Sequence, residues 1–98
     1  MSEPVLAAAD VDAALAEQGI AWERQDDQIT TTVTLRDFAG ALAFVNEVGA
    51  AAEAANHHPD IDIRWNKVRL VLTTHDAGGL TVLDLALAAA IDRLRPLR

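Results

Sequence analysis

The sequence contains no cysteine, and this absence excludes several kinds of chemistry. Without thiols the chain can form no disulfide, bind no metal through a thiolate and offer no thiol nucleophile. Such a composition is typical of a reducing compartment, so we expect a cytoplasmic location. Residues 1–4 also lack the basic stretch and apolar run of a secretory signal, so we expect no signal peptide.

Basic residues are also scarce. The chain has 8 lysines and arginines against 15 aspartates and glutamates, which gives a formal net charge of −7. Nucleic acids and anionic membrane surfaces are bound by clustered positive charge, so we expect neither as a partner. The longest nearly apolar stretch, residues 80–91, contains Asp84 and is shorter than the roughly 20 residues of a membrane-spanning helix. A small molecule that is neutral or cationic, or another protein, is the better partner.

Aromatic residues number only four, whereas alanine occurs twenty times. Alanine buries little area but favours helices. A chain of 98 residues has room for one domain, spanning residues 1–98, with a thin core. We therefore expect alanine-rich helices packed closely on a broader element, with Trp22 and Trp65 in the core.

Hydrophobic periodicity predicts three helices and four strands. The helices are expected at residues 5–18, 38–55 and 81–94, and the strands at 21–25, 28–35, 60–65 and 68–73. Two-residue turns at 26–27 and 66–67 would make both strand pairs antiparallel hairpins. Thr34 and Asp37 resemble a capping box at the start of the second helix. The order α-β-β-α-β-β-α predicts an α+β fold, a four-stranded antiparallel sheet with helices packed on one face.

The last predicted helix is apolar on most sides. One stripe contains Leu83, Leu87, Ala90 and Leu94, and another contains Val82, Leu85, Ala86 and Ala89. A helix of this kind is normally buried on most sides, but the sheet of so small a domain covers only one face. We therefore expect a homodimer or homotetramer that forms through this C-terminal helix and a sheet edge.

Three histidines provide the side chains that titrate nearest neutral pH. His57 and His58 follow the second helix, and His75 ends the fourth strand. A hairpin turn at 66–67 would place His75 opposite His58, with Cβ atoms about 4.5–5.5 Å apart. The three side chains are either merely solvated or part of a functional site, and convergence of all three would strengthen the second interpretation.

A metal site fits these histidines less well. His57 and His58 are adjacent, and neighbours in an extended chain point to opposite sides, so we expect neither a metal nor another cofactor. Asp84 follows Thr81 by three positions, a capping pattern that would place its carboxylate in the first turn of the last helix. The turn at Gly78-Gly79 would also bring Asp84 within reach of an imidazole, which the carboxylate would orient. Both interpretations of Asp84 stay open.

Several motifs occur together along the chain. They are Asn-His-His-Pro-Asp at 56–60, Trp-Asn-Lys-Val at 65–68, Leu-Thr-Thr-His at 72–75 and Gly-Leu-Thr at 79–81, followed by Asp84. In this combination the chain resembles the pterin-4a-carbinolamine dehydratase family. The resemblance continues upstream through Gly19, Trp22 and the Asp37-Phe38 helix start to Glu53, and so covers most of the chain. The family fold, a four-stranded antiparallel sheet with helices on one side, agrees with the predicted order.

The resemblance implies a hydro-lyase that removes water from a 4a-hydroxytetrahydropterin and leaves quinonoid dihydropterin, in the recycling of tetrahydrobiopterin or a related pterin. It implies acid–base catalysis by His57 and His75, since imidazole can both give and take a proton near neutral pH. It also implies that His58 holds and orients the pterin and that Asp84 supports His75. The further residues that it places against the substrate are Glu53, Asn56, Thr73 and Thr74.

Some positions depart from the family pattern. Members often have an acidic residue where Asn56 stands, and asparagine can hydrogen-bond but cannot act as a base. They also often have an aromatic residue at Leu35 and a basic residue at Thr31. The alternative function is a non-catalytic interaction, dimerisation or assembly factor that docks through the apolar last helix, since some relatives without the histidine set act in this way. The complete histidine set favours the enzyme.

Overall fold

The computed structural model describes residues 3–96, which form three helices and four strands. In chain order these are α1 (Ala8–Gln18), β1 (Glu23–Gln25), β2 (Gln28–Thr34), α2 (Phe38–Ala55), β3 (Asp60–Arg64), β4 (Lys67–Leu72) and α3 (Val82–Asp92). The predicted order is confirmed, although α1 starts at Ala8 rather than at residue 5 and α3 ends at Asp92 rather than at residue 94. Residues 1 and 2, part of the segment in which no signal peptide is expected, lie outside the described residues.

The four strands form one antiparallel sheet in the order β1-β2-β4-β3. In the central pair, Ile29 lies opposite Leu72 and Val33 opposite Val68, and all four side chains are buried on the same face. The alternate residue Thr32 is exposed, because successive side chains of a strand point to opposite faces. The predicted α+β fold is confirmed.

The core lies between the buried face of the sheet and the helices. The helices contribute Val11, Leu15, Phe44, Val48, Leu87 and Ile91 to it. Alanines 41, 52 and 88 are at most 2% exposed, and α3 contacts both α1 and α2. Small side chains at these contacts allow the helix axes to approach closely, as the alanine content predicts.

Burial along α3 increases from its start towards its end. Leu87 is 2% exposed and Ile91 is fully buried, whereas Val82 and Leu83 in the first turn are 52% and 37% exposed. The large exposed apolar side chains of this helix are therefore confined to its start. Within residues 3–96, no helix is both long and apolar enough to cross a membrane.

The start of α2 differs from the predicted capping box. Asp37, not Thr34, is the N-cap, and its Oδ1 accepts a hydrogen bond from the Gly40 N–H at 2.8 Å. The backbone is held extended just before this point, because the Leu35 N–H donates to the Asn66 carbonyl at 2.7 Å and the Asn66 side chain donates to the Leu35 carbonyl at 3.0 Å. A helix starting at Thr34 would lose both bonds.

The β3–β4 hairpin also differs from the prediction. Its turn consists of residues 65–66, so Ile63 lies opposite Val68. The predicted turn at 66–67 would instead place Trp65 opposite Val68. Trp65 adopts a left-handed conformation (φ 54°), is 66% exposed and stacks on Phe38 with ring centroids 6.5 Å apart. Its predicted core position is therefore wrong, whereas Trp22, at 4% exposure, is in the core as predicted.

Candidate active site

Two chain reversals bring the three histidines to one end of the sheet. The first follows α2, where Asn56 adopts a left-handed conformation (φ 50°, ψ 42°) and the His57 N–H donates to the Ala52 carbonyl at 3.1 Å. Asparagine is one of the few residues besides glycine that adopt this conformation readily. The reversal ends α2 and places His57 and His58 just before β3.

The second reversal joins β4 to α3. Thr74 and Gly79 exchange backbone hydrogen bonds of 3.1 and 3.4 Å, which closes a short loop that contains His75. Gly78 has a positive φ of 80°, a conformation that favours glycine and turns the chain back. Since β3 starts where β4 ends in the antiparallel pair, the two reversals are neighbours.

Asp84 connects the two reversals. Its carboxylate is fully buried and accepts hydrogen bonds from the Thr81 N–H at 2.9 Å, the Thr74 hydroxyl at 2.8 Å and Nε2 of His57 at 2.6 Å. The capping interpretation is confirmed, because Thr81 and Asp84 form a capping box at the start of α3. The carboxylate also orients an imidazole, but that of His57 rather than of His75. Three donors offset much of the cost of burying the charge.

The hydroxyl groups of Thr74 and Thr81 form a directed chain. Thr74 donates its single proton to Asp84, so the 2.8 Å bond between the two hydroxyls takes its proton from Thr81. The Thr81 oxygen in turn accepts the Leu83 N–H at 3.2 Å. Thr74 is 7% exposed, so its polar group is committed to Asp84 rather than to a ligand.

The other two histidines are more exposed than His57. His58 contacts the Glu53 carboxylate through Nε2 at 2.5 Å, and the two side chains are 56% and 78% exposed. His57, by contrast, has an 11% exposed side chain. The exposed His75 imidazole makes no hydrogen bond to any group within residues 3–96. The three imidazoles therefore have three different environments: His57 faces a buried carboxylate, His58 faces an exposed carboxylate, and His75 faces neither.

All three histidines line one cavity of about 220 Å³, which we call the histidine cavity; its walls are residues 56–58 and 73–76. The three histidines thus converge as predicted. The predicted strand register, which places His75 opposite His58, is not observed, because the β3–β4 ladder ends at Asp60 opposite Val71. Among the predicted substrate contacts, Asn56, Thr73 and Thr74 line this cavity, whereas Glu53 lies outside its walls and reaches it through His58. Asp76 also lines it and was not predicted.

A second cavity of about 550 Å³ adjoins the first, and we call it the turn cavity. It lies between the β1–β2 turn (residues 25–28), the Gly78-Gly79 turn, Thr73 and His75, so it shares the last two with the histidine cavity. The Thr73 hydroxyl donates to the Asp27 carbonyl at 2.7 Å and so ties the two turns together. Residues 25–28 come to lie beside the histidine cavity only because β2 pairs with β4, and no sequence motif marks that pairing.

The arrangement is suited to proton transfer. Because Asp84 engages Nε2 of His57, only Nδ1 of that ring is free to meet a ligand, whereas both ring nitrogens of His75 are free. Within the described residues, no group of three histidine, aspartate or glutamate side chains is arranged to hold a metal ion. The walls present imidazole, hydroxyl, amide and carboxylate groups to a polar ligand.

Comparison with known sequences gives consistent matches. The sequence model described as pterin 4 alpha carbinolamine dehydratase matches residues 4–94. A relative from Chloroflexus aurantiacus, provisionally named pterin-4-alpha-carbinolamine dehydratase, is 60% identical over 73 residues, which cover 74% of this chain and 78% of that protein. A relative from Thermosynechococcus vestitus with the same provisional name is 46% identical over 89 residues, which cover 91% of this chain and 93% of the relative.

Solved structures share the fold. A protein from Brucella melitensis, described as a transcriptional coactivator/pterin dehydratase, matches with a TM-score of 0.86 and 26% identity over 94% of this chain and 99% of that one. A pterin dehydratase-like protein, described as a RuBisCO assembly factor of the alpha-carboxysome, has a TM-score of 0.63 and 20% identity over 81% of this chain and 92% of that one. At that identity the second match speaks for the fold alone.

Proposed function

Because the chain belongs to the pterin 4 alpha carbinolamine dehydratase family, we propose that it is a hydro-lyase acting on a 4a-hydroxytetrahydropterin. The reaction breaks the C4a–O bond, and the hydroxyl leaves as water after taking up one proton. N5 loses one proton, so the net change is the loss of one water, and quinonoid dihydropterin remains. One group must therefore give a proton and another must take one. The observation that carries the proposal is the single cavity lined by three histidines in different environments.

His57 is the group we assign to the leaving hydroxyl. Its ring is the least exposed of the three, and the buried Asp84 carboxylate fixes its orientation through Nε2. In the acid form of the ring both nitrogens carry a proton: the Nε2 proton stays in the hydrogen bond to Asp84, and the Nδ1 proton passes to the hydroxyl. The fixed ring holds the donor in one position, and such pre-positioning lowers the barrier of a proton transfer. Asp84 accordingly supports His57 in this proposal, not His75.

His75 is the group we assign to the N5 proton. Its ring is exposed and has no hydrogen-bond partner within the described part of the chain, so it is free to accept a proton and to pass it to solvent. His75 and His57 line the same cavity from the two chain reversals. A pterin ring bound between these two histidines would meet one imidazole for the proton that the hydroxyl takes up and the other for the proton that N5 loses.

The remaining residues hold the substrate or the histidines. His58, paired with Glu53, positions the pterin, and Asn56 offers an amide where a carboxylate would add a second base. The hydroxyls of Thr73 and Thr74 are already bonded to Asp27 and Asp84, so we assign these threonines to positioning rather than to direct binding.

We place this reaction in the cytoplasm, in the recycling of tetrahydrobiopterin or a related pterin, with no cofactor. We also propose a homodimer or homotetramer that forms through α3 and a sheet edge, supported by the exposed Val82 and Leu83 on α3 and by Ile61 on the edge strand β3, at 39% exposure. Docking of another protein on α3 as the sole function has less support, because Leu87 of the expected docking stripe is buried in the core.

The test is a double substitution, His57→Ala with His75→Ala. It removes both proton-transfer groups, so the catalysed rate of dehydration should fall to background, while the far-ultraviolet circular dichroism stays that of the parent. The control is Asn46→Ala, at an exposed position of α2, which should keep full activity. Activity of the folded double variant within a few-fold of the parent would exclude the assigned roles.

A further inference from the structure

Apart from His75, no residue that lines the turn cavity takes part in the proton transfers described above. The volume of this cavity, about 550 Å³, exceeds the 220 Å³ of the histidine cavity. Small-molecule sites are generally about 300–1,000 Å³. The histidine cavity alone is smaller than this range, whereas the two cavities together fall within it. The shared residues Thr73 and His75 make the two a continuous surface.

The position of His75 relates the turn cavity to one part of the substrate. If His75 takes the proton from N5, the carbon bonded to N5 on the side away from C4a also lies next to His75. That carbon is C6, which bears the substituent that distinguishes one pterin from another. We infer that the turn cavity receives the C6 substituent and favours an uncharged, hydroxylated chain over an anionic one. This inference rests on the function proposed above.

The chemistry of the walls decides which substituent fits. Gln25 and Gln28 can both donate and accept hydrogen bonds, and the carboxylates of Asp26 and Asp27 can accept them from hydroxyl groups. Neither carboxylate makes a hydrogen bond within residues 3–96, so both are available to a ligand. Such walls bind a chain of hydroxyl groups through several hydrogen bonds.

The same walls repel an anion. No lysine or arginine lines the turn cavity. Arg24 donates to the Asp26 carbonyl oxygen at 3.3 Å and interacts electrostatically with the Asp26 carboxylate, but its guanidinium is paired with the Asp12 carboxylate at 2.8 Å. A unit charge about 4 Å from a carboxylate in water is disfavoured by about fivefold, and two carboxylates with partial screening give about tenfold.

The experiment uses three stable 7,8-dihydropterins as probes, which carry a methyl, a dihydroxypropyl or a carboxylate group at C6. Their dissociation constants are measured by calorimetry for the parent and for Asp26→Asn with Asp27→Asn. Asparagine is favoured in turns with positive φ, which Asp26 has at 55°, so the turn is retained. The control, Asp10→Asn with Glu17→Gln, removes two exposed charges on α1.

In the parent, the dihydroxypropyl compound should bind more tightly than the methyl compound, and the carboxylate compound most weakly. The variant with Asp26→Asn and Asp27→Asn, which we call the turn variant, should bind the carboxylate compound about tenfold more tightly than the parent does. Its affinity for the methyl compound should be unchanged, and the control variant should match the parent. A turn variant that binds the carboxylate compound no more tightly than the parent does would overturn the inference. A separate assay of the parent on the 6-methyl 4a-hydroxytetrahydropterin tests the proposed function. Turnover of this compound, together with a turn variant whose affinities for the three probes equal those of the parent, would refute only the C6 subsite. No turnover would refute the dehydratase itself.

Discussion

Asp84→Asn would change the protonation of His57 while leaving its surroundings almost intact. Asparagine has the same shape, so its oxygen can still accept from the Thr81 N–H and the Thr74 hydroxyl, and the N-terminal cap of α3 survives. The amide NH₂ then faces Nε2 of His57, where a carboxylate oxygen lies at 2.6 Å in the parent. Because two N–H groups cannot bond each other, neutral His57 must carry its proton on Nδ1, the opposite tautomer to that of the parent.

The size of the effect follows from what is lost. A positioned acid or base contributes about 10²–10⁴-fold to a rate. Because the variant ring carries its only proton on Nδ1, it would have to become an anion to protonate the hydroxyl, so kcat should fall by about that factor. The variant also loses a hydrogen bond to a charged group, worth about 1.5–3 kcal/mol. It is relieved of a buried charge at the same time, so the free energy of unfolding should fall by only about 1–2 kcal/mol.

The assay combines the rate of dehydration at pH 7 with ¹⁵N NMR of the histidine rings. Glu53→Gln is the matched control, since it makes the same change beside the exposed His58, where an ion pair is worth about 0–1 kcal/mol. We expect a far smaller loss of kcat there. A folded Asp84→Asn variant with kcat within a few-fold of the parent, or with the parent's His57 tautomer, would refute the reasoning.

Three further predictions concern stability. Thr74→Val should lower the free energy of unfolding in urea by about 1.5–3 kcal/mol, because Asp84 loses a buried hydrogen bond; no loss would contradict the bond. Trp65→Gly should unfold at a higher urea concentration than Trp65→Ala, since both lose the stacking on Phe38 but glycine alone tolerates φ 54° without strain; the reverse order would contradict that conformation. The hydrogen bond from Arg24 lowers the pKa of Asp12, so this pair stabilises the fold at neutral pH and the effect is lost as the pH falls through that lowered pKa; an NMR titration of Asp12 with an ordinary midpoint would contradict it.

The elements of the fold could be predicted from local patterns, since each depends on neighbours in sequence. Alternation of Ile29 and Val33 with threonines marked β2, and Thr81 with Asp84 marked the start of α3. The β3–β4 turn could not be predicted in this way. A bulky Trp65 at positive φ runs against local preference, and it is compensated by tertiary contacts: stacking on Phe38 and the hydrogen bonds between residues 35 and 66.

The candidate site was only partly predictable for the same reason. The histidines and Asp84 could be selected by residue type, but which imidazole meets the carboxylate depends on the reversal at Asn56, which points His57 toward α3. The turn cavity depends on the β2–β4 pairing between residues far apart in sequence. A pattern within a short window carries no information about such a contact.

The most direct test of the dehydratase activity is the decay of a 4a-hydroxytetrahydropterin, generated in solution and followed by stopped-flow absorbance, with and without the protein. We predict that catalytic amounts of the protein accelerate formation of the quinonoid product in proportion to protein concentration, and that His57→Ala with His75→Ala abolishes the acceleration. A decay rate that does not depend on the concentration of folded protein would contradict it.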